Sequence, residues 1–451
     1  MKHDAVRILL PPAVATLLPV LTLIAFPGAA MVSVLVTFWA GAALVSLALR
    51  HCPWRSYGAY IWLVAALALL TSGAIVNVNF FTIVSGGYLD RPVLLQTDAR
   101  RLWYYAGQFL NTGYTQDNSQ SILTSLLFMV GVRDIFIAIM LNVIFAVLAM
   151  TVTGQIAWRM SGRRDVALWA MCGLSLMCYF MAQATILIKD VPLTLGMALS
   201  ALALLCFRDR RYGAGTWALA GGLLLTALYR SPMLLFIPLG AAVMAVGLRD
   251  WRRMAVPAVA ALAVWGAVAL AGSLGHTMKI IDDSAGVYFL TAKGGETAAG
   301  ALVGGGYPSL PLWRKILMLP ATAIMQFLIP FPWTWAKHLS LAPTTCVAHM
   351  GFTWYLAGGV FIYWLFGLLR RSPRTMACIG LWAVMLYLLI AFQFGGRVSR
   401  YCLPLLPLMM PAVAYTLLTA WRRRSFRIWM GAFVLMMAAV LTVCHYLSPA
   451  V

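Results

Sequence analysis

Charged residues are scarce in this chain of 451 residues, of which only 10% are charged and 63% are hydrophobic. A soluble globular domain has roughly 25% charged and 45–50% apolar residues, so the composition excludes an ordinary soluble protein. Acidic residues are rarer still, 12 against 33 lysines and arginines, which leaves a net charge of +21. In a soluble protein that charge would suggest nucleic acid. Here the arginines recur at the spacing of membrane-spanning helices, so no nucleic-acid partner is expected.

Sequence patterns of metal, disulfide and nucleotide sites are also missing. The eight cysteines form no CxxC pair and lie mostly in apolar runs, as small packing residues do. The histidines show neither HxH nor HxxxH spacing, so no histidine zinc site is predicted. The glycine clusters follow no strand and precede no P-loop lysine, which excludes a nucleotide cradle of that kind. No resident cofactor is predicted, and a divalent metal stays open.

Apolar runs of the length that crosses a bilayer fill most of the chain. They predict an all-α fold, a polytopic transmembrane helical bundle of about 13 spans. The expected spans cover residues 1–26, 31–49, 59–76, 135–157, 166–184, 191–207, 214–229, 233–248, 255–274, 351–369, 375–394, 403–420 and 428–447. We treat the whole chain, 1–451, as a single transmembrane domain.

The arginines and lysines predict the orientation of these spans. With the N-terminus inside, 20 of the 33 basic residues fall in short inner loops and 13 lie outside, as the positive-inside rule requires. Two long polar segments, 77–134 and 275–350, are then outer loops in which we expect interfacial helices. Within the second, the apolar stretch 316–333 is predicted to be re-entrant or interfacial, and its prolines at 320, 330 and 332 favour a broken helix.

The order of spans and outer segments divides the domain into four parts. These are two added N-terminal spans (1–58), a catalytic-type module (59–274), the second outer segment (275–350) and the C-terminal spans (351–451).

The first outer segment carries the strongest candidate for an acid–base group. Asp98 begins an aromatic-rich run whose apolar side chains share one helical face, which predicts an interfacial helix. Asp98 can cap that helix, face a substrate, or do both. Arg100 and Arg101 follow it and favour its ionised form. Tyr104 is a supporting candidate, and Asp117 is a reserve acid in a run typical of a turn.

Further outer charges end or begin spans. Lys189 and Asp190 form either a short hairpin whose two charges solvate each other or a site where Lys189 faces an anionic headgroup and Asp190 caps the next helix. Arg230 ends another span. Arg397 and Arg400 flank a short turn, where two arginines can grip a phosphate or anchor lipid headgroups.

Taken in order, these segments resemble the GT-C class of membrane glycosyltransferases, which use polyprenyl-phosphate sugars. The similar segments are Thr97-Asp98-Ala99 with Tyr104-Tyr105-Ala106, Ile188-Lys189-Asp190-Val191-Pro192, Tyr229-Arg230-Ser231-Pro232 and Arg400-Tyr401-Cys402-Leu403-Pro404-Leu405-Leu406-Pro407. The likeness covers roughly residues 59–420 and is closest to the bacterial family 39-like transferases. Two features depart from the class: the acidic loop follows the third span, and Ala99 replaces the frequent second acid, which weakens a metal assignment.

The resemblance implies an inverting sugar transfer on the outer side of a bacterial plasma membrane. The donor would be a polyprenyl-phosphate-linked sugar, and the acceptor a glycan or glycolipid. Asp98 would be the general base, and the donor phosphate would be bound by Lys189, Arg230, Arg397 and Arg400. Acceptor or loop support would come from Arg100, Arg101, Tyr104, Asp117 and Asp190.

Two other functions fit the same pattern of spans. An O-antigen or polysaccharide polymerase or ligase would also carry arginines on its outer loops, and there the arginines would carry more of the chemistry than Asp98. A lipid or small-molecule transporter should show internal repeats and ionisable residues in mid-span. The sequence shows neither feature, which disfavours transport.

Overall fold

A computed structural model describes residues 2–27, 29–84, 134–273, 311–328, 352–394 and 399–447. Every regular element in these ranges is helical, which confirms the all-α class. Most of the first polar segment, 85–133, lies outside the described residues, and with it the interfacial helix expected at Asp98.

The first half of the bundle contains eleven α-helices in the described ranges. Their bounds are Lys2–Ala15 (α1), Leu17–Ala25 (α2), Met31–Arg50 (α3), Tyr57–Val84 (α4), Ile135–Ser161 (α5), Arg164–Ser175 (α6), Cys178–Ala184 (α7), Asp190–Arg208 (α8), Tyr212–Arg230 (α9), Phe236–Leu248 (α10) and Trp251–Ser273 (α11). A 3₁₀ turn, Ser231–Leu235, joins α9 to α10.

The second half adds shorter and more irregular elements. Their bounds are Leu312–Leu328 (α12), Phe352–Tyr363 (α13), Arg374–Phe394 (α14), Leu406–Ala420 (α15) and Arg424–Leu447 (α16). A π-turn and a 3₁₀ turn extend α13 to Arg371, and the 3₁₀ helix Ser399–Leu405 leads into α15.

The lengths and hydropathy of these helices make the protein a multi-pass membrane protein. Ten of the described helical segments are long and apolar enough to cross a membrane, and an eleventh results if α6 and α7, bent by 63°, form one broken span. The other two segments among the predicted spans are also helical: α9, and a shorter apolar helix over Pro232–Leu248. In the described residues each of the thirteen predicted spans is thus mainly helical, while ten or eleven are long and apolar enough to cross a membrane.

Helix α8 lies at the centre of the bundle. Within its most apolar stretch, 89% of the residues are buried in protein, against 17% for the peripheral α11 and α16. It packs on α5, α9 and the 399–405 helix. Small residues allow the close α8–α9 approach, since a Cβ on Gly222 would stand 2.5 Å from the Ser200 hydroxyl.

One end of the bundle is built from arginines that bind helix ends. Arg55 donates to the Arg50 carbonyl at 3.1 Å, Arg208 to the Arg159 carbonyl at 3.0 Å, and Arg253 to the Arg208 carbonyl at 3.0 Å. These carbonyls belong to the last turns of α3, α5 and α8, where positive charge also complements the helix dipole. We call this the arginine-rich end.

The other end of α8 defines the opposite end of the bundle. Here Asn77 contacts Thr185, and Arg230 contacts Tyr401. We call it the Arg230 end. The contacts at both ends join residues that the charge pattern predicted to share a side of the membrane.

Helix α12 covers most of the apolar stretch 316–333. It has 17 residues and continues through Pro320, so no break occurs at that proline. Pro330 and Pro332 lie outside the described residues, and a break there stays a prediction. Pro320 lies on the exposed side of α12. The tyrosine hydroxyl of Tyr387 donates to the Ala323 carbonyl at 2.5 Å, which fixes the C-terminal half of α12 toward the Arg230 end. Its description as re-entrant or interfacial stays a prediction.

The contact between α5 and the buried indole of Trp54 gives a test of the packing. A Cβ on Gly154 would stand 2.5 Å from that ring, which is fully buried and donates to Gln155 Oε1 at 3.0 Å. Gly154→Ala should therefore lower the free energy of unfolding by about 1–3 kcal/mol. Gly266→Ala is the control, because a Cβ there meets nothing within 4 Å. Thermal unfolding in detergent measures both, and equal melting temperatures would contradict the packing.

Candidate functional site

The turn between α7 and α8 is held by two buried asparagines. Asn77 Nδ2 donates to the Thr185 carbonyl and hydroxyl, both at 2.9 Å. Asn142 Nδ2 donates to the carbonyls of Ile186 and Ile188, both at 2.8 Å. An irregular turn among apolar helices exposes main-chain groups that have to be satisfied by protein. These amides, from α4 and α5, supply the donors and fix the turn that precedes Lys189.

Lys189 and Asp190 begin the central helix. Lys189 occupies the N-cap position of α8, where no side-chain capping bond forms, and Asp190 is the first helical residue. The Asp190 side chain is only 1% exposed. The predicted Asp190 N-cap is therefore wrong, because Asp190 lies one residue past the cap. The alternative of a hairpin whose two charges solvate each other stays a prediction.

Arg230 lies on an aromatic ring at the same end of the bundle. Its guanidinium carbon is 3.9 Å from the centre of the Tyr401 ring, which is fully buried. A cation on a desolvated ring in this way is stabilised by about 2 kcal/mol. Contact with this buried ring therefore holds the Arg230 guanidinium in place.

Helix α12 reaches the same region through its C-terminal end. Gln326 Nε2 donates to the Cys402 sulfur at 3.3 Å, one residue from Tyr401. The last carbonyls of α12 accept hydrogen bonds from Trp354 Nε1 at 3.0 Å and Tyr355 Oη at 2.6 Å. The 399–405 helix is thus fixed by α8 on one side and by α12 on another.

The structure brings together part of the predicted site. The turn of Lys189 and Asp190, Arg230 and the 399–405 helix all lie at the Arg230 end. Arg400 is the second residue of that helix, and its side chain lies outside what the structure describes. The remaining predicted residues lie outside the described ranges: Asp98, Arg100, Arg101, Tyr104, Asp117 and Arg397.

Three residues of this region were not among the predicted site residues. Tyr401 stacks under Arg230, and Asn77 and Asn142 hold the Lys189 turn. A usable signal existed for the asparagines, since a polar side chain within or beside an apolar span usually has a structural or functional partner. No sequence signal distinguishes Tyr401 as a stacking partner from an ordinary interfacial tyrosine.

The arrangement is suited to binding an anion. Lys189 and Arg230 supply positive charge. Buried contacts fix the turn that precedes Lys189 and the Tyr401 ring that contacts Arg230. Arginine with its edge donors matches the oxygens of a phosphate or carboxylate. No group of three His, Cys, Asp or Glu residues within the described ranges could hold a metal ion, so we assign no metal ligand.

Asn142 provides a test of how the Lys189 turn is held. Asn142→Ala would leave two buried carbonyls without their donor, at a cost of about 1–3 kcal/mol for each. Thr153→Ala on the same helix is the control, because the Thr153 hydroxyl bonds only to the Ala149 carbonyl of its own helix. Thermal unfolding should show a clearly larger loss for Asn142→Ala. Similar losses in the two variants would mean that the amide does not hold the turn.

The sequence matches no protein-family model, and no curated protein is significantly similar to it. The resemblance to the GT-C class accordingly depends on short motifs and their order. Function has to be argued from the side chains at the Arg230 end.

Proposed function

We propose that the protein is a GT-C type glycosyltransferase that moves a sugar from a polyprenyl-phosphate donor to an acceptor glycan or lipid. The transfer would invert the anomeric centre on the outer side of a bacterial plasma membrane. By the positive-inside rule the arginine-rich end would face the cytoplasm. The Arg230 end would then face outside and carry the reaction.

The observation that carries the proposal is the convergence of three distant motifs. The segments around Lys189, Arg230 and Tyr401 are far apart in sequence, yet all three lie at one end of the bundle and the last two are in direct contact. Lys189 and Arg230 each bring a positive charge to this end, and Tyr401 supplies the ring that contacts Arg230. A lipid-linked phosphate has the matching chemistry, because its anion needs fixed cations and its tail needs an apolar groove.

The chain connectivity is compatible with Asp98 as the base. The segment that contains Asp98 joins α4 to α5, and each of these helices contributes an asparagine to the Lys189 turn. Both attachment points of the segment are therefore at the Arg230 end.

The proposed reaction is a single displacement at the anomeric carbon. Asp98 takes the proton of the acceptor hydroxyl, and the acceptor oxygen forms a bond to the anomeric carbon. The bond between that carbon and the phosphate oxygen breaks, and the lipid phosphate leaves with its electron pair. Lys189, Arg230, Arg397 and Arg400 would stabilise the charge that grows on the phosphate.

The experiment that tests this function is sugar transfer by membranes or purified protein with radiolabelled polyprenyl-phosphate sugars. A new glycosidic product from a monophosphate-linked sugar supports the proposal. Product formed only from diphosphate-linked glycans would indicate a polymerase or ligase. Movement of label across the membrane without a new glycosidic bond would indicate a transporter.

Arg230 is expected to contribute to donor binding and leaving-group stabilisation. Arg230→Ala should lower kcat/KM for the donor by roughly 10²–10³, the usual cost of removing one fixed donor to a developing charge. Arg371→Ala removes an exposed arginine at the opposite end of the bundle and is the control. Sugar-transfer assays on variants with matched melting temperatures measure this effect. Equal activity in the two variants would exclude a role of Arg230 in donor binding.

Asp98 is expected to be needed for turnover and not for stability. Asp98→Asn keeps the shape and the capping capacity of the side chain, and it should lower kcat by roughly 10²–10⁴. Asp117→Asn is the comparison variant. Normal turnover by Asp98→Asn would leave Asp98 as a helix cap only, and a selective loss in Asp117→Asn would transfer the role of base to that residue.

A further inference from the structure

A second polar site lies at the arginine-rich end, at the other end of α8 from the Arg230 end. It is a cleft of about 360 Å³ between the ends of α5 and α8, lined by Pro53, Gln155, Trp158, Arg159, Gly162, Asp209 and Arg211. Pockets for small ligands occupy roughly 300–1,000 Å³. The cleft is therefore large enough for a small anionic group.

Arg159 is the buried cation of this cleft. Only 9% of its side chain is exposed, and its Nη1 lies 2.8 Å from Asp209 Oδ2. Its Nε is buried and has no hydrogen-bond acceptor among the described residues. Buried guanidinium groups normally have their donors satisfied, so the binding capacity of Arg159 is not filled by the protein around it.

The local charges do not balance. Asp209 also accepts from Arg208, at 2.6 Å from both Nε and Nη2, so one carboxylate is shared by two guanidiniums. Arg211 lines the cleft and is exposed, and it makes no ion pair in the part of the chain that the structure describes. Burial raises the pKa of the nearby Cys52 thiol to about 11, so this thiol stays neutral. Asp209 is thus shared by Arg159 and Arg208, and Arg211 adds a further positive charge to the lining of the cleft.

The remaining lining supplies a donor and a flat wall. Gln155 uses its Oε1 to accept from the Trp54 indole at 3.0 Å, which leaves its NH₂ group as the donor of this side chain. Trp158 contributes an aromatic wall. Gly162 closes α5 at a φ of 66°, where glycine is favoured, and a Cβ there would meet nothing within 4 Å.

We infer that this cleft binds a phosphate group, held by Arg211 and Arg159. Arginines match phosphate oxygens with several donors, and the bound anion would offset the local excess of positive charge. The cleft opens where spanning helices end, at the level expected for lipid headgroups, and basic pockets in such positions bind anionic headgroups. The phosphate can thus come from an anionic lipid or from free phosphate in water.

Arg211→Gln and Arg210→Gln form the test pair. They remove the same charge from neighbouring exposed positions, but only Arg211 lines the cleft. Full-length protein is placed in nanodiscs of phosphatidylcholine alone, in nanodiscs with phosphatidylglycerol added, and in phosphatidylcholine with inorganic phosphate titrated. Thermal unfolding and native mass spectrometry report stabilisation and retained lipid. Melting in phosphatidylcholine alone checks that both variants are folded.

We expect an anion-dependent rise in melting temperature for the wild type and Arg210→Gln. In Arg211→Gln the apparent affinity should be weaker by roughly tenfold or more, as expected for hydrogen bonds between charged groups. If only phosphatidylglycerol gives this difference, the ligand is a lipid headgroup. If inorganic phosphate gives it as well, the ligand is phosphate from water. The same response in both variants, or no response in wild type, would overturn the assignment.

Discussion

The fold depends on one constraint: main-chain polar groups in hydrocarbon have to find partners within the protein. Helices meet it by themselves along their length, and the difficulty is confined to their ends and to irregular turns. At the Arg230 end the Lys189 turn is satisfied by Asn77 and Asn142. At the end of α12 the carbonyls are satisfied by Trp354 and Tyr355. Each of these sets of hydrogen bonds fixes the position of an irregular segment. Irregular segments at the ends of spans are where we expect the chemistry of this protein.

The two ends of the bundle use positive charge differently. At the arginine-rich end, guanidiniums bind the last carbonyls of α3, α5 and α8, so residues expected only to set topology also close helix ends. At the Arg230 end, the Arg230 guanidinium instead lies over the buried ring of Tyr401. Helix α8 connects the two ends, since its first residue lies at the Arg230 end and its last residue at the arginine-rich end. The same central helix thus supports both proposed anion sites.

The candidate site could be predicted in part because some of its signals are local. Lys189, Asp190 and Arg230 interrupt apolar runs, and a charge in that position is visible in the sequence alone. The burial of Asp190 could not be predicted, because exposure depends on which helices surround the turn. Tyr401 was visible only as a member of a motif; its contact with Arg230 joins positions 171 residues apart in the chain. The path of α12 through Pro320 could not be predicted either, because a proline inside an apolar run can break a helix or only kink it.

By itself the sequence determined the fold class and the run of helices, because a bilayer imposes a length and an apolarity that can be counted along the chain. It also determined which charges group together at each end of the bundle, since successive spans have to alternate in direction. The tertiary structure decided which helix is central, how α8 and α9 approach at their glycines, and which side chains satisfy the Lys189 turn. The physical reason is that apolarity is nearly uniform around these helices, so packing partners are selected by small residues and buried polar groups that meet only in three dimensions.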